Sequence, residues 1–158
     1  MVTLTDIILF FLPMVAGYLT SYFCPIGPQA GVALNARPPS CVFMIIWPIL
    51  YILIGLSWVN ANNDEMNNKF VVNVLYGLLT LCLSLWTYFY GCENNKTYAL
   101  YTLPVTILVI LVTLMYSPTY LLLPLLVWLL FALMLNFAEV NNESYENLRV
   151  IIAPNMKM

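Results

Sequence analysis

Hydrophobic positions in this chain gather into five long runs separated by short polar or proline-rich breaks. The runs cover about residues 7–24, 40–59, 70–90, 98–116 and 120–140, each close to the roughly 20 apolar residues a helix needs to cross a bilayer. They are apolar all round. Leu103 to Met115, for example, shows none of the residue-by-residue alternation that marks the strands of a membrane β-barrel. The pattern predicts an all-α integral membrane protein, a bundle of five transmembrane helices forming a single domain over residues 1–158, with no length left for a separate soluble domain. The first run lacks a basic leader and contains Pro13, so it reads as a retained span rather than a cleaved signal.

The breaks carry the more specific text. The first, residues 25–39, is long for a connection between neighbouring helices. It holds Pro25, Gly27, Pro28 and Gly31 with Arg37 as its single charge, and reads either as a lid over one mouth of the bundle or as a loop lying among lipid headgroups. Arg37, Pro38 and Pro39 hand this loop to the second run. The two prolines fix their own φ and bias the residues before them away from helix, so a helix starts at Pro39 or Ser40. From there Phe43, Trp47 and Tyr51 recur at i, i+4 and i+8, with Ile54 and Trp58 continuing the stripe, which gives one helix face most of its large rings. Spacing alone makes that stripe a packing face.

In the third run Tyr76, Leu79, Leu83 and Trp86 form one face, and Thr80, Ser84 and Thr87 another whose small side chains suit close helix contact. Asn60 to Lys69 and Gly91 to Thr97 are polar connectors, and Ser117-Pro118-Thr119 a tight turn. Pro48, Pro104 and Pro124 interrupt backbone hydrogen bonding inside spans, a fault neighbouring helices can compensate. Trp58, Tyr88, Tyr90, Tyr98 and Tyr116, near run ends, read as interfacial belts. Asn136 is expected to make an interhelical hydrogen bond, and Glu139, one turn later, to sit solvated at the interface.

Composition sharpens the class. Hydrophobic residues are 63% of the 158 and charged ones 8%, against about 25% charged in soluble domains. The net charge of −2 and the lack of a basic run remove nucleic acid as a partner. Absence of histidine removes His-based haem and zinc sites and Ser-His dyads, and Asp6 and Asp64, both near span ends, do not make an intramembrane aspartyl pair. Cys24, Cys41, Cys82 and Cys92 show no CxxC pairing, so neither a disulfide nor a metal is assigned. With five spans Arg37, Lys96, Arg149 and Lys157 share one side and Lys69 the other. Counting cations therefore puts the first loop and the C-terminus in the cytosol, together with the sequons at Asn95 and Asn142, which would then go unglycosylated.

Taken together, these motifs resemble the translocator protein family, also known as tryptophan-rich sensory proteins or peripheral benzodiazepine receptors. Pro38, Pro39, Phe43, Trp47, Leu50, Tyr51 and Gly55 meet its second-span pattern. Leu122, Pro124, Trp128, Phe131, Ala132, Leu135 and Asn136 meet its fifth-span pattern, with Leu125 in place of a tyrosine, and Tyr76 and Trp86 stand ten apart as its third span requires. The resemblance implies a membrane receptor or carrier that binds a hydrophobic ligand, a porphyrin or a cholesterol-like sterol, inside the bundle with no resident cofactor. It assigns the ligand contacts to Phe43, Trp47, Tyr51, Trp86, Trp128, Phe131, Ala132, Leu135 and Asn136. Leu79 and Leu83 replace the family's Gln and Asn, which implies a more apolar pocket; the loop lacks the family's tryptophan-tyrosine pair, and Phe137 replaces the tyrosine of its cholesterol motif. A displaced match at Val140, Tyr145 and Arg149 is of the kind that occurs by chance.

Two rival readings stay open beside the non-enzymatic one: light- and oxygen-dependent porphyrin breakdown, and a structural or partner-binding protein that keeps only the fold. The family also implies a homodimer through the third span, and a mitochondrial outer, bacterial inner or virus-encoded membrane setting.

Overall fold

The computed structural model describes residues 2–26 and 40–152; Arg37, Pro38 and Pro39 fall outside them. Five helices, α1 Leu4–Phe23, α2 Ser40–Asn63, α3 Lys69–Thr87, α4 Lys96–Tyr116 and α5 Leu123–Ile152, account for nearly all of the described chain. Five spans are long and apolar enough to cross a membrane, as the runs predicted. Two short turns modify them. A π-helical turn, Tyr88–Cys92, prolongs α3, and a 3-10 turn, Tyr120–Leu122, leads into α5.

Helix ends follow local chemistry more closely than hydropathy. α1 begins earlier than the apolar run because Thr3 and Asp6 form a reciprocal capping box, Asp6 Oδ2 accepting from the Thr3 amide at 2.8 Å. Asn68 and Asn95 cap α3 and α4 through their side-chain oxygens. α2 runs on to Asn63, past the predicted end at residue 59, since Asn60, Ala61, Asn62 and Asn63 contain no helix breaker. α5 likewise continues beyond residue 140 to Ile152.

The helices close a ring. α1 packs between α2 and α3, α4 between α3 and α5, and the 3-10 turn at the head of α5 rests on α2. Tyr76, Ile54, Leu79, Leu103, Ile110, Leu122, Leu125 and Leu129 are fully buried along the axis, while Phe11, Val15, Leu108, Val127 and Met134 present an apolar outer surface, as lipid requires. α2 and α5 meet chiefly through rings, Phe43 against Trp128 at 5.3 Å and Trp47 against Trp128 at 6.4 Å.

One face of the bundle is sealed by hydrogen bonds. Asn63 Nδ2 donates to Asp6 Oδ1 at 2.9 Å, tying α2 to α1; Asn67 Nδ2 donates to Ser117 Oγ at 3.3 Å, and the Asn68 amide donates to the Tyr116 hydroxyl at 3.1 Å. Just inside this face Trp58 stacks on Tyr76 at 5.6 Å and donates Nε1–H to Asn73 Oδ1, so it is a core residue and not the belt residue expected. Tyr90 is also buried, whereas Tyr88, Tyr98 and Tyr116 remain exposed as a belt would be.

The opposite face is held differently, and here the cysteine expectation is overturned. Cys24, just after α1, and Cys92, closing the π turn, form a disulfide with Cα atoms 4.6 Å apart; Cys82 is a buried thiol. Sixty-eight residues separate the pair in sequence, and only the ring order of the helices brings them together. Gly91 permits the approach, because a Cβ there would run into the Cys24 carbonyl.

Candidate functional site

The half of the bundle nearest the disulfide encloses a cavity of about 460 Å³, within the 300–1,000 Å³ usual for small-molecule sites. Its walls come from four elements: Gly17, Tyr18 and Ser21 of α1, Phe43, Met44, Trp47, Pro48 and Tyr51 of α2, Trp86, Thr87 and Tyr90 around the end of α3, and Trp128, Ala132, Leu135, Asn136 and Glu139 of α5. Ile26 lines its mouth.

The aromatic stripe of α2 is therefore a wall as well as a packing face. Trp47 stacks on Tyr51 at 5.6 Å, lies 5.9 Å from Trp86, and meets Trp128 edge-on; Trp86 in turn stacks on Tyr90 at 5.5 Å. Offset and edge-to-face pairs at these separations hold one another in place. Much of the cavity wall is thus made of ring faces that brace one another.

Of the nine residues assigned by resemblance, Phe43, Trp47, Tyr51, Trp86, Trp128, Ala132, Leu135 and Asn136 line the cavity. Phe131 does not; it packs on the Trp128 ring at 5.6 Å and supports it from behind. Leu79 and Leu83 are buried in the core away from the cavity, so they do not make it more apolar.

Polar groups enter from elsewhere. Glu139 is 4% exposed and not solvated as expected: its Oε2 accepts from the Tyr90 hydroxyl at 2.6 Å, and its Oε1 pairs with Lys96 Nζ at 3.1 Å. The Asn136 amide, the Trp86 indole and the Trp128 indole each carry a buried N–H donor with no hydrogen-bond partner among the described residues. Among the described residues the Asn136 amide nitrogen makes no interhelical bond, although the residue lines the cavity.

Thr80 and Thr87 are buried within the chain, their hydroxyls donating to the carbonyls of Tyr76 and Leu83. The small-residue face of α3 is thus occupied inside the bundle, and α3 turns Val74, Leu78 and Leu81 outward. No group of three or more acidic or cysteine side chains suited to a metal occurs among the described residues.

Signals for the missed Glu139 and Tyr90 were present in the sequence. Ala132, Leu135, Asn136 and Glu139 fall at i, i+3, i+4 and i+7, and Trp86 and Tyr90 at i, i+4, so each set shares a helix face. No local signal reveals Gly17, Tyr18 and Ser21, which reach the site only because α1 packs between α2 and α3.

A polytopic helical membrane protein with an aromatic-walled cavity among its spans is the class that fold and site define. The profile of the TspO/MBR family matches residues 9–140, and the chain belongs to that family. A search of curated protein sequences found no match.

Proposed function

We propose that the protein is a non-enzymatic membrane receptor or carrier that takes a flat hydrophobic molecule, a porphyrin or a cholesterol-like sterol, into the cavity between α1, α2, α3 and α5. The carrying observation is the set of stacked ring faces that line the cavity. Rings supply apolar area and stacking surfaces for a planar ligand. Porphyrins and sterols each present a large flat apolar body to such faces.

Titration of the purified protein with protoporphyrin tests the reading. Tryptophan emission is quenched saturably, because Trp47, Trp86 and Trp128 all border the site. The Ala132→Trp variant, which fills the cavity from α5, binds at least about tenfold more weakly, the equivalent of roughly 1.4 kcal/mol. Unsaturable quenching, or equal affinity in that variant, would overturn it.

A further inference from the structure

The α1 wall of the cavity meets α2 through the Tyr18 and Tyr51 rings, 6.3 Å apart, and carries a covalent tie in addition. α2, α3, α4 and α5 are joined near the disulfide face by ring contacts and by the Lys96–Glu139 ion pair. The end of α1 is fixed to the π turn by Cys24–Cys92. Gly17, Tyr18 and Ser21 lie within two turns of Cys24, and Tyr90 lies two residues before Cys92. The bond therefore joins two pieces of cavity wall at the mouth. Packing beside it is thin: Tyr22 and Phe23 are exposed, and the glycine at 91 brings no side chain to the contact.

From this we infer that Cys24–Cys92 is a redox latch on the ligand cavity, closed in the oxidised protein and opened by reduction. Cys92 is exposed and Cys24 is 3% exposed, so a thiolate from a dithiol reductant reaches the Cys92 sulfur. Attack there forms a mixed disulfide and expels Cys24 as a thiolate, which takes a proton. The second thiol of the reductant then displaces Cys92, leaving two protein thiols and an oxidised reductant. Two electrons and two protons enter the protein, and the end of α1 is released from the π turn. Persistence of the bond also requires that this face look onto an oxidising compartment, opposite to the side chosen by counting cations. Lys96 weighs little in that count, because it is spent internally on Glu139.

The test uses the full-length protein isolated from membranes without reductant. Peptide mapping after alkylation should show Cys24 linked to Cys92, and both alkylated after dithiothreitol. Amide hydrogen exchange over residues 17–24, measured without ligand, should rise at least about tenfold on reduction and should be equally fast in Cys92→Ser with or without reductant. The effect on ligand, which depends on the carrier function proposed above, is a severalfold faster protoporphyrin dissociation from the reduced protein. Free Cys24 and Cys92 thiols in the isolated protein, or exchange unchanged by reduction, overturns the latch. If exchange responds while protoporphyrin fails to bind either form, the latch stands and the carrier reading falls.

Discussion

Replacing Lys96 with methionine should lower the stability of the purified protein by about 1–3 kcal/mol, less than for a fully buried ion pair, because the Lys96 side chain is 19% exposed. Lys96 opens α4, where a cation opposes the positive end of the helix dipole. Its compensation is the Glu139 carboxylate 3.1 Å away, itself 4% exposed and bonded to Tyr90. Without the ammonium, that buried carboxylate keeps its bond from the Tyr90 hydroxyl but loses its cation. Thermal unfolding in a fixed detergent measures the loss. Adding Glu139→Gln to Lys96→Met removes the charge while keeping an acceptor for Tyr90, and should recover most of the stability. A double variant as unstable as the single one would show that charge is not the cause.

Gly55→Ala should be the most damaging small change in the membrane-spanning core. A Cβ at residue 55 would strike the backbone carbonyl of Phe10, and backbone cannot swing aside as a side chain can. α1 has to lift from α2, at a cost of about 3 kcal/mol or more. Gly77 provides the control, because a Cβ there meets nothing within 4 Å. Alanine at 77 only relieves the poor helix propensity of glycine, so Gly77→Ala should be neutral or up to about 1 kcal/mol stabilising. Of these two chemically identical substitutions, Gly55→Ala is expected to lower the melting temperature and Gly77→Ala to leave it unchanged or raise it.

Much of the fold was legible because lipid imposes simple demands: five apolar runs of spanning length have few alternatives to five helices. The α2 stripe of Phe43, Trp47 and Tyr51 was readable as a face, and Trp128, Ala132, Leu135 and Asn136 through the family resemblance; all of them line the cavity. Which neighbours those faces meet was not readable, since periodicity places a residue around its own helix and says nothing about ring order. That is why the Cys24–Cys92 pairing and the contribution of Gly17 and Ser21 escaped. Glu139 was misplaced for a related reason. Its hydropathy alone argues for water, and the cation that allows it inside comes from the start of a different helix. Trp58 escaped likewise, its indole held by Asn73 on α3.

The π turn at Tyr88–Cys92 amounts to one residue more than an α-helix would use over the same rise. Against a continuous α-helix, in which each residue turns the chain by about 100°, the extra residue changes which side chains share a face across the turn. Tyr90 and Cys92 both sit in it, where they meet Glu139 and Cys24. One local widening of the helix thus supplies both the hydroxyl that steadies the cavity's carboxylate and the sulfur that ties α1 down.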